Sequence, residues 1–145
     1  MKEQLETVAR RIRTVLEDHH SLPQVDSVHE GLFADFPHGC CQYTAYIVML
    51  YLNLYETIPL CDLSLMANAN IGEATHAWAK CRGYHIDITG DQFGGPSVWV
   101  SQDCPWPDSR PTEHFLSTEP INQSSLRSIE IICAHIYDTT GMKRK

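Results

Sequence analysis

Two adjacent cysteines, Cys40 and Cys41, follow Gly39 and open a long apolar run; Thr75-His76-Ala77-Trp78 and Ile86-Asp87-Ile88-Thr89 come later in the chain. A thiol, an imidazole and a carboxylate in that order are the parts a cysteine nucleophile needs. The attacking species is the thiolate, and the unpaired N–H groups and dipole of a helix N-terminus lower a cysteine's pKa. A histidine takes the thiol proton and later returns it to a leaving group. A carboxylate holds the imidazole in one tautomer and stabilises its cation. Each residue alone has a plainer reading. A cysteine is a common small buried apolar residue, a lone strand histidine is commonly structural, and a strand aspartate commonly faces solvent or caps a turn. The conjunction carries the chemical reading.

The elements that must position these groups can be read from periodicity. Leu5, Val8, Ala9, Ile12, Val15 and Leu16 recur at helical spacing and predict an amphipathic helix that ends before Pro23. Pro23, Gly31, Pro37 and Gly39 punctuate a loop over 21–39. From Cys40 to Glu56 the chain is apolar nearly all round, too long for a strand, and predicts a buried central helix closed by Pro59. Cys40 and Cys41 then lie in its first turn. Neighbours on a helix diverge by about 100°, so only one of them faces a given cleft.

Leu60 to Asn68, Thr75 to Cys81, Tyr84 to Thr89 and Ser97 to Ser101 predict strands. Residues 102–121, with Pro105, Pro107, Pro111 and Pro120, predict an irregular connection. Leu126, Ile129, Cys133 and Ile136 behind Asn122 and Ser124 predict a last helix; the alternation at Ile129-Glu130-Ile131 makes a strand the rival. The expected class is α+β, a single domain over 1–145.

The parity of the hairpin matters most. If Arg82-Gly83 is a two-residue turn, Cys81 pairs with Tyr84, Trp78 lies opposite Asp87 and His76 opposite Thr89. His76 and Asp87 then become diagonal neighbours on one face, within side-chain reach. Asp91, beyond Gly90, fits that role less well.

Composition narrows the partners. Eighteen acidic residues against eleven basic give a net charge of −7, which argues against nucleic acid. The basic end Lys143-Arg144-Lys145 reads as a solvated terminus. The longest apolar run, Ala45 to Leu52, is too short to span a bilayer. No leader is evident and no C-x-x-C pair occurs, so a reduced, cytoplasmic protein is the expectation. Histidines 19, 20, 29, 38, 85, 114 and 135 lack metal-ligand spacing, so neither metal nor cofactor is expected. Trp78, Trp99 and Trp106 read as core or cleft walls. No motif speaks to oligomeric state.

Phe36-Pro37-His38-Gly39-Cys40-Cys41, Thr75-His76-Ala77-Trp78 and Ile86-Asp87-Ile88-Thr89-Gly90-Asp91-Gln92-Phe93 together resemble a group of small bacterial and phage proteins with a papain-like or transglutaminase-like core. Their pattern is similar to F-P-x-G-x-C, then H-A-W, then I-D-I-T-A-D-Q-F, and the likeness covers residues 36–93. The resemblance implies a nucleophile opening a central helix packed on a small antiparallel sheet. It implies Cys41 as nucleophile, His76 as base and Asp87 as orienting acid. The activities it implies are those of peptidases, amidases, transglutaminases and glutamine deamidases, acting on a protein or peptide. Papain-like proteases usually carry tryptophan just after the nucleophile, where this chain has Gln42, and glutamine six residues before it, where this chain has Asp35. The oxyanion partner therefore does not carry over. The Cys41 backbone N–H is one expected donor, with Gln42 and Gln92 as candidates for another. Arylamine acetyltransferases use the same order of groups, but this chain lacks an evident coenzyme A phosphate site. A non-catalytic interaction module on the same core is the remaining reading.

Overall fold

The computed structural model describes residues 1–23 and 32–141. Part of the expected loop over 21–39 and the basic end at Lys143-Arg144-Lys145 lie outside the described residues.

Helix α1 (Lys2–Glu17) buries Leu5, Val8, Ala9, Ile12, Val15 and Leu16, the apolar stripe its spacing predicts, and Arg13 with them. Helix α2 (Cys41–Tyr55) buries Ala45 and every residue from Ile47 to Leu52. Its apolar surface has neighbours on several sides: α1, α3 and the sheet all pack against it. Helix α3 (Gln123–Ile136) is the last helix that the sequence predicts. Asn122 caps it, its side chain accepting from the Ser125 N–H at 2.9 Å, a cap worth about 1 kcal/mol. Ile129, Ile132, Cys133 and Ile136 face the core while Ile131 is exposed, so helical spacing prevails over the alternation at 129–131.

Five strands form one antiparallel sheet in the order β4-β3-β2-β1-β5. They are β1 (Leu63–Ile71), β2 (Ala74–Cys81), β3 (Tyr84–Asp87), β4 (Trp99–Ser101) and β5 (Thr112–Phe115). Several boundaries differ from expectation: α2 begins at Cys41 rather than Cys40, β1 runs on to Ile71, β4 begins at Trp99 rather than Ser97, and three further differences have a local cause. Leu60–Asp62 is a 3₁₀ turn behind Pro59, so β1 starts later. Strand β3 stops at Asp87 because Asp87 turns its carboxylate onto the Thr89 N–H. The stretch 102–121 is not irregular throughout: β5 pairs there with β1, just after Pro111, at the sheet edge where proline is tolerated.

Arg82 and Gly83 have φ of 49° and 85°. Positive φ at both central residues is the turn that follows the natural strand twist. The ladder is therefore Cys81 opposite Tyr84, Lys80 opposite His85 and Ala79 opposite Ile86. Ala77, Ala79, Cys81, Ile86 and Ile88 join the main core with α2. Trp78, Met66 and Ala69 form a smaller core, with Cys104 and Trp106 against it. Among the described residues, no helix is long and apolar enough to cross a membrane.

Candidate active site

Residues 32–39 turn into α2, with a cis Phe36–Pro37 peptide and Gly39 at φ 76°. Cys40 is the N-cap residue and Cys41 the first helical residue. The first intrahelical bond is Thr44 N–H to Cys40 C=O, 2.9 Å. The Cys41 and Gln42 N–H groups precede it and have no backbone acceptor inside the helix.

The two thiols differ sharply. Cys40 is 2% exposed. Its Sγ lies 3.8 Å from the Pro37 carbonyl and accepts from the Thr44 hydroxyl at 3.6 Å. Burial pushes its pKa up to about 11. Cys41 is half-buried. Burial also raises its pKa, but the hydrogen bond and charge of His76 and the N–H groups of Ala77 and Gln42 outweigh that, and the thiol lies below its ordinary value. Contrary to expectation, Cys40 lies outside the first turn as the N-cap, with φ −130°, and Cys41 alone faces the imidazole.

His76 is buried, with Nε2 2.8 Å from Asp87 Oδ2. That bond leaves Nδ1 for the sulfur side, where the Gln92 amide nitrogen also stands, 3.5 Å away. Phe93 and Trp106 meet the ring edge-on at 5.0 and 6.1 Å between centroids. Burial lowers the imidazole pKa, yet the Asp87 and Cys41 hydrogen bonds and charges raise it further, to about 9.

Asp87 is 1% exposed. A buried carboxylate is costly unless hydrogen-bonded, and this one is. Oδ1 accepts from the Thr89 N–H at 3.0 Å and the Thr89 hydroxyl at 3.4 Å. Oδ2 accepts from His76 and from the Trp106 indole N–H at 2.9 Å. Gly90 permits this closeness, since a Cβ there would stand 3.1 Å from Asp87 Oδ2 and 3.3 Å from the Trp106 ring.

A second set of contacts holds these pieces from behind. Arg13 donates to the Ile88 carbonyl at 2.7 Å and to both Asp91 oxygens, at 2.9 and 2.7 Å. Its guanidinium lies 4.7 Å over the Phe36 ring. One side chain of α1 therefore ties the turn after β3 to the loop before Cys41.

The structure brings Cys41, His76 and Asp87 together. Asp91, the weaker candidate, pairs with Arg13 instead. Gln92 lies at His76, whereas Gln42 points to the Tyr46 hydroxyl at 3.4 Å. Trp78 is core and donates to His85 Nδ1 at 2.9 Å, and Trp99 donates to the Asp103 carbonyl at 3.0 Å. Sequence reasoning missed Trp106 and Arg13 as parts of the site. Arg13 had a signal: it follows Leu5 and Ala9 at helical spacing, a charge inside the apolar stripe. Where Cys41 of α2 meets β2 and β3, the gap beside Ala77, Trp78 and Asp87 has no room for a water molecule. Among the described residues, no group of three histidine, cysteine or acidic side chains is arranged to hold a metal ion. Comparison with protein-family models, with curated proteins and with solved structures gives no match.

Proposed function

We propose that this chain is a thiol hydrolase with a papain-like or transglutaminase-like core, acting on a peptide or side-chain amide of a protein or peptide substrate. The observation that supports this most is one chain of contacts: a half-buried thiol at a helix N-terminus bonded to an imidazole, which is bonded in turn to a buried carboxylate.

The reaction follows from the proton positions. A lowered Cys41 and a raised His76 both favour a thiolate beside an imidazolium. The sulfur attacks the amide carbonyl and the carbonyl π electrons move onto oxygen. The Cys41 N–H, which has no backbone acceptor inside α2, receives that oxyanion. As the tetrahedral species collapses, the C–N bond breaks and the imidazolium proton goes to the departing nitrogen, leaving a thioester and neutral His76. Water then attacks the thioester carbonyl and gives its proton to His76. Collapse expels the thiolate and frees the acid. Gln92 is the better-supported second oxyanion donor, because its amide stands beside the ring nitrogen that faces the sulfur.

Glutamine deamidation and amine transfer use the same thioester and differ in the amide attacked and in what resolves it. Iodoacetamide labelling followed by peptide mass spectrometry tests the shared part. Rapid modification of Cys41, lost in His76→Ala, supports the proposal. A Cys41 that reacts no faster than the exposed Cys61 overturns it. Product masses from glutamine-containing peptides then separate cleavage from deamidation.

A further inference from the structure

Gln42 lines two neighbouring cavities of about 250 and 400 Å³ that share Tyr46 and Pro120, and Ala67 and Asn68 of the smaller one lie across the β1–β2 ladder from Ala77, whose N–H reaches the Cys41 sulfur. The smaller one has a polar wall that a loose surface would not keep. It begins at a bulge in β1, where the register against β2 shifts between Met66 and Ala69 and Asn68 takes φ 59°. Asparagine tolerates that conformation better than most residues. The bulge aims Asn68 across the strand pair, and its amide donates to the Thr112 hydroxyl at 3.1 Å. Thr112 Oγ1 lies 2.8 Å from His114 Nε2, and His114 Nδ1 lies 2.7 Å from Glu119 Oε2.

These contacts form one relay from Asn68 through Thr112 and His114 to Glu119. Asn68 donates to the Thr112 hydroxyl, which also reaches the Ala67 carbonyl at 3.3 Å. The relay ends in a carboxylate whose other oxygen has no hydrogen bond among the described residues. Among the described residues, Glu119 is the one formal negative charge lining either cavity, and neither Lys nor Arg lines them.

We infer that this groove is a substrate subsite beside the nucleophile, and that it takes the cationic side chain of a peptide, lysine or arginine, against Glu119. The inference rests on the thiol-hydrolase reading and adds its specificity. A Lys or Arg stem lies along Tyr46 and Pro120 while its charge reaches the carboxylate. The preference is electrostatic and partly solvent-exposed, so its size is that of a surface ion pair, about fivefold in rate, and it weakens with salt.

The test uses the full chain and short peptide vinyl sulfones that carry lysine, norleucine or glutamate at each position in turn. Rates of Cys41 modification are divided by the iodoacetamide rate of the same protein. At one position, lysine should exceed norleucine about fivefold and glutamate by more. Glu119→Gln, which keeps an acceptor for His114, should erase the preference, and Glu119→Lys should turn it toward glutamate. Equal rates for the three side chains at every position overturn this inference alone, provided iodoacetamide still reacts rapidly with Cys41. Sluggish iodoacetamide labelling instead overturns the thiol-hydrolase reading and this subsite with it.

Discussion

The Trp106 indole N–H and the His76 imidazole share one oxygen of Asp87, at 2.9 and 2.8 Å. Trp106 belongs to the proline-rich stretch after β4, far along the chain from both partners, yet it closes the buried end of the site. Its ring stands edge-on to His76, and its N–H helps satisfy a carboxylate that has no solvent. Trp106→Phe keeps most of the ring and removes the donor. Loss of the donor admits water to the His76–Asp87 bond. We expect the imidazole pKa to fall from about 9 toward its ordinary value. The pH dependence of peptide-anilide cleavage checks this: the alkaline limb should move down in Trp106→Phe. An alkaline limb that stays put would leave Trp106 as packing alone.

The two cysteines make opposite predictions although they are adjacent. Cys40 is sealed and its pKa raised to about 11 by burial; Cys41 is half-buried and lowered. At neutral pH, iodoacetamide should modify Cys41 first, ahead of the exposed Cys61, and leave Cys40 untouched in the folded protein. Cys41→Ala should abolish turnover, since no other thiol lies on the imidazole. Cys40→Ala should retain most turnover and lose about 1 kcal/mol of stability from the small void it leaves. If the Cys40 variant is the inactive one, the roles have been assigned to the wrong thiol.

The charges fix a pH window. The proposed cleavage needs thiolate and imidazolium together. On the acid side the pair is lost when Cys41 takes a proton, below the ordinary thiol range. On the alkaline side it is lost when His76 gives up its proton, near pH 9. Cleavage should therefore rise through the acid range and fall near pH 9. Alkylation, which needs only the thiolate, should not fall there. Asp87→Asn keeps the shape and removes the charge that raises His76, so its alkaline limb should move down and its rate fall about a hundredfold or more. Identical profiles for cleavage and alkylation above pH 9 would rule out an imidazolium role.

The hairpin was legible because strand parity is strict. Once Arg82-Gly83 is a two-residue turn, His76 and Asp87 must share a face, and the structure joins them at 2.8 Å. The three helices were legible because their apolar spacing agrees with their burial. Strand β5 was hidden for the opposite reason: it is four residues long, mostly exposed and flanked by prolines, so it has no buried face to pattern. The Asn68 bulge was hidden too, because an extra residue in a ladder is set by its partner strands. Trp106 was seen as an aromatic but not as a donor to Asp87. Nothing local to 102–111 says which carboxylate its N–H will meet.

Arg13 offers the clearest test of how the scaffold supports the site. Its guanidinium is nearly sealed and has four partners: the Ile88 carbonyl, the Asp91 carboxylate, the Glu17 carboxylate and the Phe36 ring. Arg13→Met fills similar space without the donors. Ile88 is 2% exposed, so its carbonyl is left without a partner, while Asp91, nearer the surface, recovers some hydration. Hydrogen bonds to a charged group and a buried unpaired acceptor together set the expected loss at about 2–4 kcal/mol, measured by urea unfolding. Arg13→Lys keeps the charge but not the fork, and should fall between the two. The same contacts hold the turn carrying Asp91 and Gln92 and the loop leading to Cys41. Arg13→Met should therefore also slow Cys41 alkylation in the fraction that remains folded. Full stability with normal alkylation would mean that Phe36 and the 88–91 turn are held by packing alone, without the guanidinium.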